Sequence, residues 1–589
     1  MYAVGGWLLV QIVTQVFPIF NVSALAQRII VLVIVAGFPL ALVLAWLFDV
    51  TPLGIVRTEA LSAGARTTDE SLAQHSADHR LNIVLGLLLV AALGYLGAEH
   101  LGWIGRNATR ATIEATVDKS IAVLPLANES GDNEQQYFSD GLSEDMITAL
   151  SQFQGLKVIS RNSSFRFRES KEDAKTIGRA LGVAHLLEGS VRRVGDEVRI
   201  SAELVNVVDG STLWSQHYDR PYSDLFKLQD EITAAVAEAM KTRLIVDAVA
   251  SVQSDRPPSG SLDAYKAYQQ GRFYAARNTG EDSRKAINFY KEAVRIDPRY
   301  AQAYAGLSRS WTFLGASDLG GAKLAAANAE AHAAAVRSVA LAPDLASAHS
   351  ALGWIKLLGD FNPKGAEAEF RHAVMLDSGD PALKTDLSAS LDALGRVDEA
   401  LVSAQEAIAL DPLFEFGYVL LSQYQMALGR YDESDKTLHK AIDLYPDAVM
   451  NHALLTTVDI ERNRPQAALE DAREEPDEFY RTFAVATASY ASGDLVTADV
   501  ELKRLIARYA DNGAFQIAAV YAHRGEADKT FEWLEQAYRN RDAGIMLQLF
   551  TEPAILKFRK DPRFISLVNK FDLHTPGTDA PPVSSGLHL

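Results

Sequence analysis

"LGRVDEALVSAQEAIALDP" (394–412) and "LGRYDESDKTLHKAIDLYP" (428–446) are near-copies set 34 residues apart. Each carries a turn glycine (Gly395, Gly429), small residues at helical spacing, and a closing proline (Pro412, Pro446). A fixed period of this length marks a helical-hairpin repeat. Leu387, Ser388, Gly395, Ala400, Ala404 and Ala407 fill the same slots as Leu421, Ser422, Gly429, Ser434, Leu438 and Ala441. Small residues at the crossing let two helix backbones approach, and larger neighbours fill the groove. The pattern extends outward on both sides. "AINFYKEAVRIDP" ends at Pro298, "AHAAAVRSVALAP" at Pro343 and "AEAEFRHAVMLD" near Asp377; the last unit adds Leu352 and Gly353. Weaker copies lie around "GDLVTADVELKRLIARY" and "RGEADKTFEWLEQAY". About eight units result, above the roughly three that a solenoid needs. "GASDLGGAKLAAANAE" interrupts unit two, and 449–475 lacks the turn glycine and holds Pro465, so both are expected to be irregular.

With 589 residues the chain exceeds one hydrophobic core, and several domains are expected. Its formal charge is 57 − 75 = −18. Such an acidic chain is ill suited to a nucleic acid backbone, and no nucleic acid partner is expected. The absence of cysteine excludes disulfides, thiolate catalysis and Cys-ligated zinc.

Three uncharged apolar runs open the chain: 1–20, 29–48 and 81–98. Each is long enough for a spanning helix. Trp7, Trp46 and Trp103 fit interfacial positions near the run ends. Arg57, Arg66 and Arg80 in the 49–80 loop outweigh Arg28 in the shorter one, which makes 49–80 cytoplasmic. Everything after Trp103 then lies outside. The expectation is a multi-pass protein of a bacterial inner membrane, holding the bilayer by three spans, with periplasmic C-terminal domains.

Residues 119–245 alternate strand and helix patterns. "KSIAVLPLA" and "LKVIS" read as strands, and "SDGLSEDMITALSQF" as a helix with Leu142, Met146, Ile147 and Leu150 on one face. "EDAKTIGRALG" is a helix stopped at Gly182. Three antiparallel strands follow, with a hairpin turn at Gly195-Asp196 and alternation of Val198, Ile200, Ala202 and Leu204 with polar residues. An amphipathic helix bearing Leu225, Leu228, Ile232 and Val236 closes the unit.

The stretch "SIAVLPLANESGDNEQQYFSDGLSEDMITALSQFQGLKVISRNSSFRF" resembles the TolB-like amino-terminal domain of bacterial membrane regulators. "LGVAHLLEGSVRR", "VRISAELVNVVDGSTLWSQHYDR" and "LQDEI" do the same. The repeats are similar to tetratricopeptide (TPR) repeats. The resemblance implies a domain set between a membrane segment and TPR repeats, with relatives carrying a nucleotide cyclase or winged helix upstream. Met1 falls inside the first run, so no such effector is expected in this chain. The resemblance also implies that "RDAGIMLQLFTEPAILKFRKDPRFISLVNKFDL" caps the array. The expected fold class is therefore multidomain: N-terminal transmembrane α-helices, a TolB-like α/β domain (119–245) and an all-α TPR solenoid (261–545). A capping segment (546–574) and a disordered tail (575–589) follow.

Motifs of chemistry are sparse. "GASDLGGAK" misses the phosphate-cradle pattern, because Gly321 stands where lysine is required. His349, His452 and His523 fall within repeat helices and read as packing or surface residues. Asp140, Glu144 and Asp145 cluster where a helix is expected to begin, and read as acids complementing its dipole. Ser163 and Ser164 read as structural. No catalytic, cofactor or metal residues are assigned, and a non-enzymatic protein is expected. Protein or peptide partners are expected on the concave surface made by first helices of the repeats, at Trp354, Gln423, Met426, Phe483 and Tyr490. The function read from this is a membrane-anchored interaction scaffold or sensor. The alternative is the regulatory half of a signalling enzyme or transcription regulator of nucleotide-cyclase or winged-helix type.

Overall fold

The computed structural model describes residues 48–51, 54–57 and 119–571, except 133–134, 152, 154, 241–254, 278 and 319–320. One compact unit is Met1–Arg106 and a second is Asn107–Leu589. In the first, β1 (Phe48–Thr51) pairs antiparallel with β2 (Gly54–Arg57). This corrects the expected fold class at its N-terminal end. Phe48, the last residue of the expected second span, begins a strand. Among the described residues no helix is long and apolar enough to cross a membrane. The fold class observed is thus a strand hairpin, an α/β domain and a helical solenoid. The inner-membrane placement with periplasmic C-terminal domains loses its basis, since no described helix carries it. Runs 1–20 and 81–98, residues 29–47 and the tail 575–589 lie outside the described residues.

The second unit opens with a mixed sheet in the order β5-β3-β6-β7-β8. β3 (Ser120–Val123) runs parallel to both β5 (Lys157–Val158) and β6 (His185–Val194), and β4 (Ala127–Asn128) also pairs with β6. β6, β7 (Glu197–Asn206) and β8 (Thr212–Pro221) are antiparallel, turning at Gly195 as the sequence predicts. β3 is buried throughout, and apolar from Ile121 to Val123, because both its faces are covered. Ile121 and Val123 pack under α1 (Gln136–Ser151) and α4 (Leu225–Ala239), with Leu142, Met146, Leu228 and Ile232. Ala122 and Leu124 pack on the other side with Ile177 and Leu181 of α3 (Ala174–Leu181), which follows the short α2 (Arg161–Phe165). α3 ends at Gly182, whose φ of 65° is the left-handed cap anticipated.

Eight antiparallel helix pairs follow: α5/α6 (Leu262–Ala275, Gly280–Ile296), α7/α8 (Ala301–Asp318, Gly321–Leu341), α9/α10 (Ala346–Trp354, Pro363–Leu376) and α11/α12 (Pro381–Ala393, Val397–Leu410). Next come α13/α14 (Glu415–Ala427, Tyr431–Leu444), α15/α16 (Asn451–Glu461, Pro465–Glu474), α17/α18 (Glu478–Ser492, Leu495–Tyr509) and α19/α20 (Ala514–His523, Ala527–Asn540). The small residues do what their spacing requires: Ala400, Ala404, Ala407, Ser434 and Ala441 are fully buried at the crossings. The two units expected to be irregular are intact pairs. α8 is lengthened, and Pro465 is the first residue of α16, where a missing N–H costs nothing. Asn463 adopts φ 57° in the slot where Gly395 and Gly429 have 72° and 71°. Asparagine tolerates this left-handed conformation better than other non-glycine residues.

The recurring aspartate at the unit ends has a local cause. Asp297, Asp377 and Asp411 leave the helix in extended conformation. Each carboxylate accepts the backbone N–H two residues on, from Arg299, Gly379 and Leu413 at 3.0–3.1 Å. At Asp297 and Asp411 the residue between is proline, which has no N–H to satisfy. The second oxygen of Asp411 accepts Ser160 N–H (3.2 Å) and the Ser160 hydroxyl, from the α/β domain. Leu413 joins the Ala122–Ile177–Leu181 core, and the Arg166 guanidinium lies 4.3 Å over the Tyr445 ring.

The cap folds back rather than simply closing the last pair. After α20 come α21 (Gly544–Leu547), α22 (Pro553–Leu556) and α23 (Pro562–Asn569). α21 touches α11 and α22 touches α13, the first helices of the fourth and fifth pairs. Ile545, Met546, Leu549 and Phe550 share one core with Leu387, Leu391, Leu420 and Tyr424. A π-turn (Ile355–Gly359) ends α9 and presents Phe361 to Tyr538 and Phe571, while Arg541 Nη1 donates to Gly359 O (2.7 Å).

Asp411→Asn keeps the acceptor for Leu413 N–H and presents an amide nitrogen, which cannot accept, to Ser160 N–H. It should speed hydrogen exchange at the Ser160 amide several-fold and destabilise the protein by about 1 kcal/mol in chemical denaturation. Unchanged Ser160 exchange would refute this anchoring role.

Candidate functional site

The acid cluster on α1 is an ion-pair joint. α1 begins at Gln136, so Asp140, Glu144 and Asp145 lie beyond its first turn and do not serve its dipole as the sequence suggested. Asp140 pairs with Arg168 (2.8 Å), and Glu144 with Arg161 and with Arg272 of α5 (2.6 Å). Arg272 also reaches Asp145 (3.4 Å) and Asp255 (2.7 Å). Burial pushes the Glu144 carboxyl up, but Arg272 and Arg161 more than offset it and hold it below the usual range. Burial dominates at Asp145, whose carboxyl is raised despite Arg272, with Asp255 and Glu144 adding to the rise. α1 and α5 approach closely at Gly141, where a Cβ would fall 2.3 Å from Gln269 Nε2. The cluster fastens the α/β domain to the first repeat. Ser163 and Ser164 are fully buried beside it.

Asp392 on α11 is a second buried acid, 2% exposed, with Oδ1 lacking any hydrogen bond. Burial alone lifts its carboxyl well above the ordinary range. A carboxyl with a raised folded pKa favours the proton in the fold, so stability is greatest below the unfolded pKa near 3.8 and falls as pH rises above it. Asp392→Asn should therefore raise the denaturation midpoint at pH 8 and change it little at pH 4. A midpoint at pH 8 that falls would overturn this account. Among the described residues no three His, Cys, Asp or Glu side chains are placed to hold a metal ion.

A cleft on the concave side brings together three of the five residues expected to touch a partner. Gln423 and Met426 come from α13 and Phe483 from α17. Met450, Ala453, Leu454 and Thr457 contribute from α15 and the residue before it, with Tyr480 and Gln516 from the next first helices. The floor belongs to the folded-back cap: Gln548, Thr551 and Glu552. The space between these walls has room for a side chain of a bound segment.

Its polar inventory is unusual for so buried a place. Gln423 is 4% exposed and lines the cleft with its amide. Thr551 is 2% exposed and its hydroxyl is unpartnered. Gln516 Nε2 donates to Gln548 Oε1 (3.1 Å). Glu552 Oε1 accepts Ala554 N–H (3.2 Å), with His523 Nε2 at 3.4 Å. Buried amides and hydroxyls are normally satisfied, and each orphan costs about 1–3 kcal/mol.

Trp354 and Tyr490 lie elsewhere. Trp354 packs edge-on against Phe370 (5.7 Å), and Tyr490 has Arg524 over its ring (5.2 Å) with its hydroxyl on Arg524 O (3.4 Å). The cap residues of the cleft escaped the sequence reading, because nothing in a linear pattern says that a segment after the last repeat returns to the fifth. His349, within α9, donates from Nε2 to Pro343 O (2.7 Å) and sets Nδ1 2.7 Å from Glu369 Oε2, a packing role.

Residues 117–235 match the family model of the HilA/YgeH-like transcriptional regulator, second domain, and 417–448 match a tetratricopeptide repeat. The α/β domain is thus similar to that second domain; the expected TolB-like likeness is not what this match shows. "Putative adenylate cyclase 3" of Rhizobium meliloti (strain 1021) is 40% identical over 191 residues, 32% of this chain and 32% of its own. The chain thus matches about a third of that curated relative's length. Among solved structures, Pseudomonas aeruginosa pilF (16% identity, 39% of this chain, 98% of that one, TM-score 0.30) and yeast Tom70 (17%, 53%, 68%, TM-score 0.34) are similar. At these TM-scores the repeat assignment stands on the packing described above.

Proposed function

We propose that this chain is a non-enzymatic regulatory protein that binds a protein partner as an extended peptide segment in the concave cleft. TPR repeats are protein–protein interaction modules, and the α/β domain is similar to a domain of transcriptional regulators, which supports this reading. The observation that carries the proposal is the cleft itself: it sets the Gln423 amide and the Thr551 hydroxyl, which is buried without a partner, among apolar walls drawn from first helices and cap. A peptide unit offers a donor and an acceptor together, and suits both groups.

Gln423→Met keeps side-chain length and removes the amide. It should weaken partner binding about tenfold, the scale of one hydrogen bond lost to a buried site. The same change should move the thermal midpoint little, because side-chain length and packing are kept. A photo-crosslinker at Thr457 gives the readout. Crosslinking to one defined partner that falls in the Gln423→Met background supports the proposal; crosslinks indifferent to Gln423 sink it.

A second reading makes the same surface the regulatory half of a signalling enzyme supplied elsewhere. The 40% identity with a protein named as an adenylate cyclase favours it. In that case the partner captured from Thr457 would be a nucleotide cyclase, or another part of one.

A further inference from the structure

We propose that the side chain entering the cleft is basic, of lysine type, with its ammonium set against Glu552; this rests on the partner-binding reading above. The walls supply a lining for a hydrocarbon stem: Met426, Met450, Leu454 and Phe483. Methionine and aromatic side chains adapt to such a stem without demanding a shape. The polar groups sharing those walls are acceptors in surplus. Glu552 Oε1 already takes Ala554 N–H, whereas Oε2 carries no donor. The Thr551 hydroxyl is unpartnered as well, and the Gln423 amide oxygen lines the same cleft. An ammonium has three donors and no acceptor, and matches a carboxylate oxygen, an amide oxygen and a hydroxyl oxygen one for one.

Charge agrees. An acidic ligand would meet Glu552 at close range, in a chain of formal charge −18. A neutral apolar side chain would seal Glu552 and the Gln423 amide away from water with no partner, the costliest arrangement for buried polar groups. His523, the basic side chain at the carboxylate, lies 3.4 Å from Oε1 and is itself 4% exposed, so it cannot swing into the cleft to take the ammonium's place.

The test uses the full chain and a random heptapeptide phage library. Selected peptides should share a lysine at one position. Replacing that lysine by methionine should raise Kd about tenfold or more, and Glu552→Gln should weaken the lysine peptide similarly while leaving the methionine peptide unchanged. Glutamine keeps the acceptor for Ala554 N–H, and an unchanged thermal midpoint verifies the fold. Peptides that lack a basic residue yet lose binding with Gln423→Met overturn the basic anchor and leave the cleft reading standing. Selected peptides rich in acidic residues do the same. Peptides whose binding ignores both Gln423→Met and Glu552→Gln overturn both readings.

Discussion

The carboxylate of Asp411 does two jobs with its two oxygens, and much of the second unit depends on that division. One oxygen closes its own repeat by accepting Leu413 N–H, and the other holds Ser160 of the α/β domain. Asp297 is used the same way at the first repeat, where its outer oxygen takes Ser259 N–H (2.8 Å) in the segment leading out of the α/β domain. A residue that recurs because a turn needs it has thus been given a second contact at the places where the repeats meet what precedes them. With Arg272 buried among Glu144, Asp145 and Asp255, the α/β domain is fastened at repeat one and again at repeat five. Two separated attachments constrain the helices between them more than one larger attachment would, because independent sliding of the intervening pairs would break one or the other.

The groove on the inner side of the array follows from the same closure. Its inner wall over repeats four and five is covered by the chain's own residues 545–556, which contribute apolar side chains to a shared core. An open array would offer a long trough to a partner. Here the trough is narrowed to a cleft bounded by the cap, and the buried amide of Gln423 lies where the cap stops short of filling it. The unpartnered Thr551 hydroxyl lies at that gap between repeats and cap.

The repeats were legible because their causes are local. A proline, a turn glycine and alanines at helical spacing each act within one unit, and even Asn463 in place of glycine leaves the capping pattern intact, with Arg464 N–H on Asp459 O (2.8 Å). The sheet was legible for the same reason: alternation fixes strands, and Gly195 fixes their turn. What failed to show were contacts between distant segments. Asp140, Glu144 and Asp145 read as helix-start acids because the start of α1 was set three residues late and their arginines lie as far off as Arg272. Gln423, Met426 and Phe483 could be placed on first helices by position, yet nothing in the pattern separates them from Trp354 and Tyr490, which pack against neighbours. Glu552 and Thr551 could not be found at all, since their place in the site depends on the cap's return across about 100 residues of sequence. The apolar runs at the start led to a membrane fold class that the described helices do not carry, and Phe48 shows how a strand hairpin can begin where an apolar run ends.

One helix joins these themes. α13 follows directly on Asp411–Leu413, where the α/β domain is held, and carries Gln423 and Met426 near its other end. At about 1.5 Å per residue, its 13 residues span roughly 20 Å. Its body is fixed by tight contacts: Tyr424 hydroxyl on Ser388 Oγ (3.1 Å), and Ser434 Oγ on Ser422 O (3.0 Å). The helix that lends Gln423 and Met426 to the cleft is thus also the one that starts where the α/β domain is held.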